Sequence, residues 1–411
     1  MNNLNELREQ EHRQRLEANR LRREVYQQTS PAASGELLDS LREAEKVLSD
    51  IERKRAQAQA KDLLGNGLIL DTEKDTGLLG PQTTCLEARL HLRMAQVPTS
   101  ICHLLNPDLT PLISCSVRNV EEEGKIRRLR VISFIEGYSA QAVDTVELEP
   151  LSKPHEFNQL PTLFPDRLRT LNELTRATLN VLVEDLDGKI ELHQTKPIWL
   201  LARTTAPLAV MDPMTGQWQD LTRYFGAFVT PNAPSLMMFL RLAAKLHPQG
   251  SLTGYQGDQD GVIPQVKALF DALKTEAHIT YVNSVIAFSP EDGFASQRVR
   301  LPRKSLQEKQ ANCIDGTVLF ASLLEGISMS PAIIVVPGHA FVAWETWENS
   351  NEWKYMETTM IGSHTFEQAC ASAESQAKFY QALADNSGDE SHFRRWPLRE
   401  LRAVHGITPM E

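Results

Sequence analysis

Residues 1–64 are dominated by Leu, Glu, Arg, Gln and Ala, and one Ser-, Pro- and Gly-containing stretch, "QQTSPAASG" at 27–35, breaks their helical pattern. Two helices are expected. In the second, Leu37, Leu41, Ala44, Leu48, Ile51, Arg55 and Ala58 recur at alternating steps of four and three, a coiled-coil seam about three heptads long. The first helix keeps that spacing less well. The pattern predicts a helical hairpin or coiled-coil-like arm over 1–64, suited to packing on itself, to self-association or to docking a protein partner.

From 84 to 205 the period changes to two, in "LEARLHLRMA", "PLISCSVRNV", "RRLRVISFIEGYS", "VDTVELEP" and "TRATLNVLVEDLDGKIELHQTKPIWLLA". Asp187-Gly188 marks a hairpin, expected with a type I′ turn. Short strands joined by turns predict an antiparallel β-sandwich of immunoglobulin-like type. Cys102 and His103 lie in this region without a third chemical partner and are read as packing or surface residues.

Residues 206–260 read as a turn-rich connection interrupted by the apolar helical stretch "SLMMFLRLAAKLH". Asp258 and Asp260 before Gly261 match part of a calcium loop, but the acid that should close such a loop is not in place, so a plain loop is expected. The last unit, 261–411, opens on "IPQVKALFDALKTEAHITYV", where Val266, Leu269, Phe270 and Leu273 share a helical face expected to pack under the helix that follows Cys313. The fold class is thus multidomain α+β.

Within that unit, Val318, Leu319, Leu323 and Leu324 fall on one side of a helix beginning after Asn312, and Gly326 marks its end. Cys313 then lies in the first turn, where unsatisfied N–H groups and the positive end of the helix dipole favour thiolate over thiol. "PAIIVV", "HAFVAWETW" and "WKYMETT" follow as three antiparallel strands, around Pro337-Gly338 and the polar "ENSNE". His339 opens the middle strand and Glu357 closes the third. A register pairing 339 with 357 centres the turn at 348, ahead of the middle of the polar stretch, so a bulge or irregular turn is expected. The three residue types make a complete set: a thiol nucleophile, an imidazole to carry its proton, and a carboxylate to orient the imidazole.

Composition narrows the field. The 411 residues are 41% hydrophobic and 23% charged, as in ordinary globular proteins, and the length asks for more than one core. A formal net charge of −10 disfavours nucleic acid as a partner. No apolar run approaches the ~20 residues needed to cross a bilayer, and the charged start is unlike a signal peptide, so no membrane association and a cytoplasmic location are expected. Cys85, Cys102, Cys115, Cys313 and Cys370 form no paired spacing, which argues for free thiols over a disulfide framework or zinc site. No cofactor or metal is expected.

A cysteine ahead of a helix in "NCIDGTVLFASLL", a strand start "GHAFVAWE" and an acid before Thr in "WKYMETT" resemble the transglutaminase-like branch of the papain-type cysteine hydrolases, over about 262–362. The resemblance implies a C-terminal transglutaminase-like, papain-like α+β domain with Cys313, His339 and Glu357 as catalytic residues, Glu standing where Asp is usual. It also implies an oxyanion side chain, for which Gln307, six residues ahead of Cys313, competes with Gln310 and Tyr281. The implied activity is a cysteine protease or peptidase acting on amide bonds of protein or peptide substrates. Transamidation of protein glutamine, or an inactive domain kept as an interaction module, are the alternatives that sequence leaves open.

Overall fold

A computed structural model describes residues 85–211, 217–283 and 293–411, the backbone of the strand Thr76–Leu78, and scattered helical positions between 10 and 51. These residues fall into two units. In the first, within residues 1–68, Leu21 is buried with Ala44, and Leu48 packs against them. Leu21 thus meets two residues of the expected seam, Ala44 and Leu48. Leu37, Leu41, Arg55 and Ala58 lie outside the described residues.

The second unit is a mixed α and β structure with several sheets. Its first strands are β1 (Thr76–Leu78), β2 (Leu86–Leu92), β3 (Gln96–Val97), β4 (Ile113–Asn119), β5 (Arg127–Ile135), β6 (Ala142–Leu148), β7 (His155–Gln159), β8 (Thr175–Asp185) and β9 (Ile190–Leu200). They form a four-stranded sheet, β1-β2-β4-β7, and a five-stranded sheet, β3-β9-β8-β5-β6, antiparallel except where β3 joins β9. Alternation along β2 and β4 buries every second residue, which is what a sheet with one covered face requires. Gln159 of β7 donates to the Val131 carbonyl of β5 at 2.9 Å and so bridges the two sheets.

The β8–β9 hairpin forms, but its turn is not type I′. Gly188 has φ +84° while Asp187 is not left-handed, and the register shifts at Val183/Glu184. Gly188 N–H donates to the Asp185 carbonyl, and the Asp185 carboxylate accepts from the N–H groups of Asp187 and Lys189. This is a type I turn closed by a left-handed glycine, the three-residue alternative to the two-residue loop.

Residues 206–260 are more than a connection. β10 (Thr205–Met211) pairs with β11 (Trp218–Asp220) and with β13 (Phe294–Arg298), while β12 (Thr280–Tyr281) pairs in parallel with β14 (Gln310–Ala311). Helix α1 (Pro234–Leu246) packs on α2 (Val262–Thr275), and its Leu236, Phe239, Leu240 and Ala243 enter the same core as Val266, Leu269, Phe270 and Leu273. Asp258 caps a helical turn by accepting from Gly261 N–H at 2.7 Å.

Helix α3 (Pro302–Glu308) leads through β14 into α4 (Cys313–Gly326), whose residues from Ile314 to Leu324 are all buried. It is a central helix, covered all round, where the sequence suggested a single apolar face. It does end at Gly326, but the left-handed residue lies later, at Ser328 with φ +62°; Gly326 instead makes room, since a Cβ there would meet Leu240 at 3.2 Å. The sheet beside it runs β17 (Trp353–Met356), β16 (His339–Glu345), β15 (Pro331–Val336), β18 (Arg394–Pro397). Ile333, Ala340, Val342 and Trp344 face the α4 core. Phe341 and Ala343 face α5 (Phe366–Ser387), which presents Ala373, Ala377 and Ala384. A helix α6 (Leu398–Ala403) follows. Of the three tryptophans near the hairpin, Trp344 is wholly buried, Trp347 leans on Tyr255, and Trp353 stacks under the Arg395 guanidinium.

Candidate active site

The start of α4 is held from several directions. Asn312 is extended at the N-cap, its side chain accepts from Asp315 N–H at 2.8 Å, and the Asp315 carboxylate accepts from Asn312 N–H at 3.3 Å. This capping box satisfies donors that a helix start otherwise leaves open. Asp315 is buried, and its charge is met by Arg300, whose guanidinium and backbone N–H each bond it at 2.6 Å. The Cys313 carbonyl accepts from the hydroxyls of Thr317, at 2.7 Å, and Thr358, at 3.3 Å. Thr358 sits so close that a Cβ on Gly316 would lie 2.8 Å from its hydroxyl oxygen. Cys313 itself is half-buried, and no disulfide joins it to another cysteine.

His339 is the first residue of β16, just after Gly338 at φ +71°. The observed register pairs Val342 with Met356 and Ala343 with Tyr355, which centres the turn at 349 and sets Glu357 two positions short of the residue opposite His339. The direct 339–357 pairing expected from sequence is therefore replaced by a diagonal one. The two side chains still share a face, because a two-residue offset preserves strand parity. Glutamate is long enough to reach across that diagonal: His339 Nε2 lies 2.6 Å from Glu357 Oε2.

Glu357 leaves the sheet as the cap of a short helical turn, Thr358–Met360. Its Oε1 accepts from Thr359 N–H at 3.1 Å and the Thr359 hydroxyl at 2.8 Å, and its Oε2 accepts a second bond from Gln376 Nε2 at 3.1 Å. The Glu357 side chain is only 4% exposed against 26% for His339, so the acid is inside and the imidazole is half-buried. Burial alone would raise the Glu357 pKa, but the hydrogen bond and charge of His339, with the Thr359 donors, outweigh it and hold the carboxyl below its ordinary range.

With Glu357 ionised, Oε2 can only accept, so Nε2 of His339 is the donor and Nδ1 is the ring nitrogen left for the sulfur. Interaction with the Cys313 side chain is the largest cause, followed by the hydrogen bond with Glu357, of a His339 pKa raised to about 10 despite burial. Folding thus joins His339 to Glu357 directly, and Cys313 bears on the charge of the same imidazole.

Of the three candidates for an oxyanion donor, Gln307 is exposed on α3 and Gln310 donates to Glu308 at 3.3 Å. Tyr281 is 48% exposed on β12; its pKa is raised by desolvation first and then by the charges of Cys313 and Glu357. Sequence reasoning missed Asp315, Arg300, Thr359 and Gln376. Asn312-x-x-Asp315 was a readable capping-box signal, whereas nothing local marks Gln376, nineteen residues beyond its partner.

Among the described residues no group of His, Cys, Asp and Glu could hold a metal ion, and no helix is long and apolar enough to cross a membrane. Compared with known proteins, the sequence matches no family model and no curated protein.

Proposed function

We propose that this chain is a cysteine hydrolase that cleaves amide bonds in protein or peptide substrates, with a transglutaminase-like domain carrying the chemistry. The observation that supports it is the His339 imidazole, bound at 2.6 Å to a buried carboxylate, with Cys313 at the start of α4 the first cause of its raised pKa. A structural histidine has no need of a thiol at a helix start and an inward-facing acid together.

In this reading the Cys313 sulfur attacks the carbonyl carbon, and the oxygen takes up the charge near the Cys313 and Ile314 N–H groups that open α4 and the Tyr281 hydroxyl. His339 delivers its proton to the departing amine, leaving an acyl thioester. Water then attacks the thioester, gives a proton back to His339 and releases the acid. Glu357 stays ionised throughout and keeps the ring turned. The β-strands of 84–205, which we read as an immunoglobulin-like sandwich, and the helical residues before them would recruit the target.

Alkylation by iodoacetamide, followed at each cysteine peptide, tests the reading. Cys313 should react well ahead of an unperturbed thiol at pH near 6, and His339→Ala should remove the advantage. If Cys313 of the unaltered protein reacts no faster than a simple thiol, the hydrolase reading falls. A glutamine peptide with a labelled amine separates the acceptors, since incorporation of the amine means transamidation.

A further inference from the structure

Four donors meet the Glu357 carboxylate, and they come from three places in the chain. Thr359 supplies two, both to Oε1, from the turn that Glu357 itself caps. His339 supplies the one the chemistry uses, to Oε2. The fourth, also to Oε2, comes from Gln376 in the middle of α5. Small side chains at Ala369, Ala373 and Ala377 are buried beneath that helix, and α5 lies close enough for the Ala369 carbonyl to accept from Glu357 N–H at 3.1 Å.

The diagonal register makes the fourth donor matter. A glutamate that reaches two positions along the neighbouring strand has one more rotatable bond than an aspartate would, and the two bonds from Thr359 fix only one of its oxygens. The other must still be held at the His339 nitrogen. An amide is well suited to hold it, because it donates along a fixed direction and carries no charge that would cancel the carboxylate's pull on the imidazolium.

We propose that Gln376 is a positioning residue of the candidate triad, holding Glu357 Oε2 against His339 Nε2 from helix α5. This rests on the cysteine-hydrolase reading. Of the titratable groups there, His339 bears directly on Glu357, the Glu357 charge in turn raises the Tyr281 pKa, and Cys313 bears on His339.

The test follows alkylation of Cys313 by iodoacetamide in the full chain, from about pH 5 to pH 7.5, where a free thiol is mostly protonated. Gln376→Leu should slow the reaction roughly 10- to 100-fold across this range, with His339 and Cys313 intact. Gln376→Glu should behave differently. While protonated it donates as the amide does, so its rate should follow the unaltered protein in acid; as pH rises and two carboxylates come to share the site, repulsion should displace Glu357 and the rate should fall behind.

A packing role would slow both variants alike, with no new pH dependence, and that result overturns the proposal. So does a Gln376→Leu rate equal to that of the unaltered protein. Should Gln376→Leu fail to fold, the pH profile of Gln376→Glu still decides. A slow Cys313 in the unaltered protein removes the hydrolase reading and this one with it, whereas a fast Cys313 indifferent to position 376 removes this one alone.

Discussion

At the residue scale, the His339 proton couples stability to pH. Its pKa rises on folding from the ordinary 6.5 to about 10, so the folded state gains stability that is fully present below the unfolded value and is lost as pH climbs through the folded one. The melting temperature of His339→Ala should therefore trail that of the unaltered protein at pH 6, and the gap should close toward pH 10. A gap that widens with pH would contradict the assignment. If the proposed hydrolase reading holds, Tyr281→Phe, which removes one exposed hydroxyl, should lower turnover about 10- to 100-fold with little change in melting temperature. Gly316→Ala is a steric test at the same site. Its Cβ would lie 2.8 Å from the Thr358 hydroxyl and 2.9 Å from Thr358 Cβ, inside a packed helix. Urea denaturation should show a loss of about 1–3 kcal/mol.

At the element scale, α4 begins at a charged point inside the protein. The Asp315 side chain is 1% exposed, so its charge depends on Arg300 and on the backbone donors around it. Arg300→Met leaves that carboxylate without its cation and should cost about 3 kcal/mol in urea denaturation. Asp315→Asn in the same chain should recover part of the loss, because the uncompensated charge is then gone. Recovery would separate charge from shape. Cys313 is the first residue of this helix, so its alkylation should slow in the single variant and return in the double one.

At the scale of the whole second unit, several bonds tie distant stretches to the helix that carries Cys313. Arg402 of α6 donates to both carboxylate oxygens of Glu325, at 3.1 and 3.0 Å, and to the carbonyls of Gly226, Val229 and Ile407. The segment Ile407–Glu411 closes over the same region. Ile407 and Met410 are buried, the Met410 carbonyl accepts from Arg203 at 2.6 Å, and the Glu411 side chain pairs with Arg303 through two bonds of 2.8 Å. Removing 407–411 exposes two large side chains' worth of core and should cost about 3–5 kcal/mol, read as a lower denaturation midpoint. Retention of the full midpoint would mean the segment is only draped on the surface.

Much of the local structure follows from sequence, because period and turn chemistry act between near neighbours. The alternation of 84–205, the helix at 262–275, the helix start at Cys313 and the strand start at His339 are all of that kind, and so are the residue types of the candidate triad. Register, burial and distant donors are different. The diagonal between His339 and Glu357 depends on how a polar turn closes, the all-round burial of α4 depends on what covers it, and β10 gains its partner from residues nearly ninety positions away. Gln376 reaches Glu357 only because a row of alanines lets α5 lie close against the sheet. The sequence by itself determined which residues could do chemistry and on which elements they stand; tertiary packing alone decided which oxygen meets which nitrogen, since hydrogen-bond geometry is set by contacts that no local pattern encodes.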